Sequence, residues 1–381
     1  MGRAGAHLWA AMDLSALTPR LLLGPGPSPV SPRILQALAR PTVGHLDPQF
    51  LRILDEVAEG LRHVFGTQNT TTFPVSGTGS AGMEASLVNV LEPGDTAIVG
   101  ICGVFGTRLA EMARRMGARV VEVEGEWGRI LDPERLIEAH RKHPEARVLA
   151  LVHAETSTGV RQPLEEVGAH LRDSETLFVV DAVTSLGGIP VQVDDQGIDV
   201  CYSGTQKCLG VPPGLAPITF SDRAVERIRS RKTPVASWYL DVTLISGYLG
   251  SERRYHHTAP INLGYALHEA LTEIGEEGLE ARHRRHQEVG RRLQGALEER
   301  GFRSFSQEGY RLPQLTAVYL PGGRDEGPLR AALLKDHGIE VGGGLGPASG
   351  KIWRIGLMGY GARDESVDRL LDAVDTVLGQ G

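Results

Sequence analysis

Val148-Leu149-Ala150-Leu151-Val152 has no polar residue on either face. A strand that is apolar on both sides needs a cover on both, which is the condition of a parallel strand inside an α/β sheet. Runs of similar β-rich texture flank it: Thr71–Val75, Thr96–Ile101 and Arg119–Val123 before, Thr176–Val180, Asp199–Tyr202 and Ala216–Phe220 after. Patterns with helical spacing fall between them at Ser80–Leu91, Val104–Met116, Pro133–Lys142 and Pro163–Arg172. Strands separated by helices of this length make βαβ units, so the chain is expected to build a mostly parallel, seven-stranded α/β sheet.

Upstream, Leu21-Leu22-Leu23 runs into Gly24-Pro25-Gly26-Pro27-Ser28-Pro29. Proline at this density forbids helix and reads as an extended arm. Ser31-Pro32 then reads as a cap and first helical position, opening a helix toward Arg40. Apolar residues at helical spacing predict a second helix over Pro48–Phe65. After about residue 262 a long helical stretch, Asn262 to Arg300, leads to shorter elements and a closing helix over Glu365–Leu378. The expected division is an extension over 1–20, a large ligand-binding domain over 21–275 and a small α+β domain over 276–381. His140/His143 and His283/His286 share helix faces, but their charge-rich surroundings read as solvated faces rather than zinc ligands. His256-His257 reads as core or loop filler, with no third ligand evident.

Composition narrows the class. The 381 residues are 41% hydrophobic and 23% charged, ordinary for a globular chain. Net charge is 40 − 47 = −7 without a long basic run, which argues against nucleic acid or an anionic membrane as partner. No apolar run approaches the roughly 18 residues that span a bilayer. Cys102, Cys201 and Cys208 form no CxxC; a disulfide framework and a zinc ribbon are disfavoured, and a reducing compartment, the cytoplasm, is expected. Met1 to Met12 reads as too short for a signal peptide and as an extension before a second possible start at Met12. The carboxyl end has no Ser-Lys-Leu address.

Three places carry chemistry. Gly77, Gly79 and Gly82 in Ser76-Gly77-Thr78-Gly79-Ser80-Ala81-Gly82 match the dinucleotide fingerprint. That fingerprint also wants an acid at the end of the next strand, and Ile101-Cys102-Gly103 has none. An NAD-dependent dehydrogenase therefore stands only as the outside reading. A phosphate cradle fits better, with glycine-turn amides and the Thr78 and Ser80 hydroxyls at the positive end of a helix; an ordinary tight turn is the plain alternative. Asp181 ends Thr176-Leu177-Phe178-Val179-Val180-Asp181, where α/β sheets bind ligands, although a turn aspartate would look the same. Lys207, in Tyr202-Ser203-Gly204-Thr205-Gln206-Lys207-Cys208, follows another strand among small residues, where a lysine can be desolvated and made nucleophilic. A cradle, a strand-end aspartate and a lysine in that order are the needs of pyridoxal phosphate: phosphate binding, a partner for the pyridinium nitrogen, and a Schiff base.

At these residues the chain resembles the class V aminotransferases, of fold type I pyridoxal-phosphate architecture, and most of all the alanine–glyoxylate and serine–glyoxylate (serine–pyruvate) types. The resemblance runs from Leu22 to about Leu378 on Leu23-Gly24-Pro25-Gly26-Pro27-Ser28, Leu91-Glu92-Pro93-Gly94-Asp95, Ser157-Thr158-Gly159-Val160, Gly197-Ile198-Asp199, Tyr255-His256-His257-Thr258 and Gly343-Gly344-Leu345-Gly346-Pro347, besides the three places above. It implies Lys207 as Schiff-base lysine and proton shuttle, and Asp181 as partner of the ring nitrogen. Thr78, Gly79, Ser80 and Gln206 would hold the phosphate, Ser157 the phenolic oxygen, and Phe105 would stack on the ring where many relatives have tryptophan. Tyr255 and Thr258 would reach the cofactor of a neighbouring subunit in a homodimer with shared sites. Arg354 would bind the carboxylate of amino acid and 2-oxo acid substrates, with Gly26 beside it. A ureidoglycine–glyoxylate aminotransferase stands as the alternative, since few pocket residues separate the two. Cysteine desulfurases need a late nucleophilic cysteine, and none follows Cys208.

Overall fold

A computed structural model describes residues 13–250 and 252–379. The extension ahead of Met12 lies outside the described residues. Seven strands form the main sheet in the order Thr71–Ser76, Leu215–Phe220, Val200–Tyr202, Leu177–Asp181, Val148–Val152, Thr96–Ile101, Arg119–Glu124. Neighbours are parallel except Leu215–Phe220, which runs antiparallel to both of its partners. All five residues of Val148–Val152 are buried, as a strand covered on both faces requires. One cover includes the Pro48–Phe65 and Ile261–Glu277 helices, and the other the Gly79–Val90 and Val104–Arg115 helices. The parallel strands present their carboxyl ends on one edge, where Asp181 stands.

The expected single helix from Asn262 to Arg300 is two, Ile261–Glu277 and Leu279–Glu299. The break is Gly278 at φ 80°, a conformation that interrupts the helix while the apolar spacing runs on through it. A second, four-stranded antiparallel sheet, including Leu315–Tyr319 and Ile352–Gly356, packs against the Leu279–Glu299 and Asp364–Leu378 helices. Leu21–Leu22 lies beside this second sheet rather than in the main one. It pairs in parallel with Ile339–Glu340, and Leu23 lies in the core between that sheet and its helices.

Two of the histidines expected on solvated faces are buried. His140 is held between His170 and Thr176, at 2.9 Å each. His286 is wholly enclosed: its Nδ1–H donates to the Arg282 carbonyl (2.8 Å) and its Nε2 accepts from the Gly359 N–H (3.1 Å). Helical spacing says which residues share a face; it does not say whether that face meets water or another element. His143 and His283 are half-buried. Among the described residues no group of three or more His, Cys, Asp or Glu side chains could hold a metal, and no helix is long and apolar enough to cross a membrane.

Candidate active site

A cleft of about 220 Å³ opens at the carboxyl edge of the sheet, with Gly79, Ser80, Phe105, Asp181, Gln206 and Lys207 in its wall. A wider groove of about 500 Å³ between the Pro32–Leu38, Pro48–Phe65 and Ile261–Glu277 helices brings together none of these groups.

Asp181 is the last residue of Leu177–Asp181 and is 2% exposed. Its Oδ1 accepts from the Val183 N–H (2.8 Å) and its Oδ2 from the Tyr202 hydroxyl (2.7 Å). Burial pushes its carboxyl up to about 6, against the pull of those two donors. Lys207 lies in the loop between Val200–Tyr202 and Leu215–Phe220. Its Nζ donates to the Pro25 carbonyl. Gly26, at φ +115°, presses so closely that a Cβ there would stand 2.7 Å from Nζ; no other residue suits both that backbone and that distance. Burial, with Arg354 nearby, brings the Lys207 amine down to about 8. A lysine so shifted spends part of its time neutral near physiological pH, as nucleophilic chemistry needs.

The Gly79–Val90 helix starts under this edge. Thr78 is its N-cap, yet the Thr78 hydroxyl makes no capping bond, and Ser80 is exposed. Beside them the buried Oε1 of Gln206 has no partner. Free helix amides, uncommitted hydroxyls and an orphaned amide suit an anion at the helix's positive end. The wall opposite is Phe105 from the first turn of Val104–Arg115, with the Arg108 guanidinium over its ring at 5.0 Å.

Arg354 comes from the second sheet's Ile352–Gly356 strand and is 7% exposed. Its Nε donates to the Gly343 carbonyl (2.7 Å) and its Nη1 to that of Thr156 (3.2 Å). No carboxylate among the described residues pairs with it, and burial brings it down to about 10. The two carbonyls fix the plane of the guanidinium and leave Nη2 with no bond to the described residues, and a guanidinium so held suits a carboxylate.

Ser157, expected beside the phenolic oxygen of the cofactor, is not in the wall of the cleft. Ser157 is fully buried behind the wall: its hydroxyl donates to Glu155 Oε1 (2.5 Å) and accepts from the Val104 N–H (3.0 Å). Thr156 lines the cleft instead. Glu155 itself escaped the sequence reading. Wholly buried, it also accepts from the Ser157 N–H (3.1 Å) and, through Oε2, from the Phe105 N–H (3.1 Å). It thereby pins the Phe105 turn to the Thr156 loop. Burial pushes its carboxyl up from the ordinary range while these donors oppose the shift. The rule that picked out Asp181, an acid just past the carboxyl end of an apolar strand, would have found Glu155 after Val148–Val152. Tyr255 and Thr258 are exposed and line no part of this chain's cleft; Tyr255 rests against His45, ring centres 5.0 Å apart.

Comparison with known proteins identifies the family of the chain. The family profile described as aminotransferase class-V matches residues 32–370. The chain belongs to the class V aminotransferases. Alanine–glyoxylate aminotransferase of Rattus norvegicus is 42% identical over 363 residues, 94% of this chain and 87% of that protein. (S)-Ureidoglycine–glyoxylate transaminase of Bacillus subtilis is 40% identical over 377 residues, 94% of this chain and 90% of that one. A crystal structure of alanine–glyoxylate aminotransferase from Nostoc sp. superposes with a TM-score of 0.95 at 50% identity, covering 97% of this chain and 98% of that one. This aminotransferase therefore has the fold type I architecture, and the dehydrogenase reading of Gly77–Gly82 falls. Class V aminotransferases generally depend on pyridoxal phosphate, and the residues of the cleft fit it. Asp181 is a buried acceptor at the base, and a free helix end with the unpartnered Gln206 oxygen stands at one side. Lys207 is partly neutral, and Phe105 offers a flat face.

Proposed function

We propose that this aminotransferase uses pyridoxal phosphate to move the amino group of a small amino acid, alanine or serine, to glyoxylate or pyruvate in two half-reactions. We place it in the cytoplasm as a homodimer whose sites share residues. The observation that carries the reading is Asp181 and Lys207 in the wall of one small cleft, with Arg354 bonded behind it to the Thr156 carbonyl and near enough to act on the Lys207 amine: ring-nitrogen partner, nucleophile and carboxylate fork. When bound, the cofactor supplies an electron sink for the charge that develops as a substrate loses its α-proton. Asp181 would stand against the ring nitrogen and keep it protonated. Thr78, Ser80, Gly79 and Gln206 would hold the phosphate, and Phe105 would cover the ring. Arg354 takes the substrate carboxylate and so turns its α-carbon toward Lys207. The Lys207 amine, freed when the substrate's own amine takes its place, is the base that removes the α-proton and returns it on the far side of the transfer. Each substrate carries the same carboxylate, so one fork serves both half-reactions. The three free cysteines are all buried thiols, in keeping with a reducing compartment. Tyr255 and Thr258 are exposed and line no part of this chain's own cleft, which supports their service to a neighbouring one.

The similar identity to the Bacillus subtilis ureidoglycine protein keeps a second donor in view. The test is a donor panel of alanine, serine and (S)-ureidoglycine against glyoxylate and pyruvate, with Lys207→Ala as control. Highest turnover with alanine or serine, lost in the control, is the expected result. Transfer from ureidoglycine alone moves the assignment to that donor, and no transfer from any donor overturns the reading.

A further inference from the structure

One turn of the Leu279–Glu299 helix touches the loops behind all three chemical groups. Arg282, 7% exposed in its side chain, donates Nη2 to the Cys208 carbonyl (2.7 Å) and Nε to the Gly187 carbonyl (3.1 Å). Cys208 adjoins Lys207, and Gly187 lies in the turns that follow Asp181. Arg285 donates Nη1 to the carbonyls of Gly359 (3.1 Å) and Ala362 (2.7 Å), in the loop that leaves the Arg354 strand. His286 takes the Gly359 N–H from the same helix face (3.1 Å). Glu277, the last residue before the Gly278 break, joins the two arginines: Oε2 to Arg282 Nη1 (2.8 Å) and Oε1 to Arg285 Nε (2.6 Å). The loops themselves meet: a Cβ on Gly359 would stand 3.0 Å from the Cys208 carbonyl oxygen.

We propose that Glu277, Arg282, Arg285 and His286 form a positioning clamp that sets the separation between Lys207 in the large domain and Arg354 in the small one. The inference rests on the transaminase reading for the roles of those two residues. A substrate gripped at Arg354 reacts only if its α-carbon falls beside the Lys207 amine, and a misplacement of about 1 Å can cost on the order of a hundredfold in rate. The contacts the clamp makes are to main-chain carbonyls and one N–H, groups that cannot change rotamer, so it transmits backbone position directly. Arg285 and His286 hold the small-domain loop, Arg282 holds the lysine loop, and Glu277 is the link between them. None of the four lines the cleft.

Two readouts test this. The first needs no turnover: amide hydrogen exchange in Arg285→Met, followed at the Gly359–Ala362 loop and at Gly210, whose N–H donates to the Lys207 carbonyl. Arg285 touches only the first of these. Joint loss of protection in both is expected; loss confined to Gly359–Ala362 overturns the clamp, whichever donor the enzyme uses. The second is a split in kinetic constants of the holoenzyme. In Arg285→Met and in the milder His286→Gln, kcat should fall by roughly tenfold or more. Cofactor affinity and competitive binding of propionate should stay near wild type, and Arg285→Lys should recover part of the rate. An unchanged kcat, or rate, cofactor and propionate affinities falling together, would refute the clamp. A wild-type protein inactive across the donor panel would instead count against the transaminase reading, and the exchange result would still decide the coupling.

Discussion

Replacing Asp181 by asparagine should stabilise the protein without cofactor and weaken it toward cofactor, two effects of opposite sign from one substitution. In the empty cleft the carboxyl is pushed up to about 6 from an ordinary 3.8. At neutral pH that shift corresponds to a penalty on the order of 3 kcal/mol for holding the buried charge. Asparagine removes the charge and keeps the bond from the Val183 N–H. Its amide nitrogen then faces the Tyr202 hydroxyl and must donate to it, which leaves that buried O–H proton in search of an acceptor at a cost of about 1–3 kcal/mol. The balance is a cofactor-free variant as stable as wild type or steadier by about 1–2 kcal/mol at pH 7.5. The pH dependence fixes the cause. The folded pKa lies above the unfolded one, so the folded state holds the proton between about pH 4 and 6. The stabilising contribution of protonation is complete below the unfolded value and is lost as pH rises through about 6. The advantage of the variant should therefore be full above about pH 7 and shrink toward pH 4. With cofactor the order reverses, because a charge-assisted hydrogen bond of about 1.5–3 kcal/mol is lost, roughly 10- to 150-fold in affinity. Urea denaturation of both proteins with and without cofactor, across that pH range, measures every quantity. A cofactor-free variant clearly less stable than wild type at pH 7.5, with unchanged cofactor affinity, would refute the reasoning.

Arg354→Lys keeps the charge but loses the fork, so KM should rise by roughly tenfold or more for amino acid and oxo acid alike; steady-state kinetics showing a defect for one donor alone would place Arg354 in side-chain selection. Glu155→Gln turns an acceptor of several donors into a group that must donate at one end, facing the Phe105 or Ser157 N–H. It should cost about 1–3 kcal/mol in urea denaturation and weaken cofactor binding as Phe105 loosens, and unaltered stability would contradict the pinning role. Mixed dimers of Lys207→Ala with a disruptive Tyr255 or Thr258 variant should regain up to half of the wild-type activity, since one site then carries both defects and the other neither; exchanged dimers that stay inactive, or a fully active monomer, would rule out shared sites.

Most of the sheet was legible because its strands are short apolar runs punctuated by glycine and by helices of regular spacing. The Thr96–Ile101 strand and the Pro133–Lys142 helix fall on the expected residues. Legibility failed where a local signal has a nonlocal meaning. Gly278 is one glycine in a long helical pattern, and only its φ shows a break. His286 sits among Glu and Arg, yet its neighbours point those charges inward to carbonyls of other loops. Asp181 and Lys207 could be found because each follows a strand, so their address in sequence is their address in space. Ser157 and Thr156 show the opposite limit, the first buried and the second in the wall of the cleft. Adjacent hydroxyls differ only in the direction they face, and that direction is set by the Glu155 carboxylate, which the motif does not display.

The pairing of Leu21–Leu22 with Ile339–Glu340 orders events during synthesis. Leu21–Leu22 leaves the ribosome before any strand of the main sheet and its partner after all of them, while the intervening sheet has every strand it needs by Phe220. Contacts so distant in sequence form late, because loop closure must precede them. The large sheet can thus assemble while the arm through Pro25 and Gly26, the stretch that closes over Lys207, still hangs free. Enclosure of the lysine becomes one of the final acts of folding, and a chain stopped short of Ile339 should hold a protected sheet with Leu21–Pro29 open to protease. Protection of that arm in such a truncated chain would show that it docks without its strand partner. The amine that must not react indiscriminately is sheltered only once the chain through Ile339–Glu340 has been made.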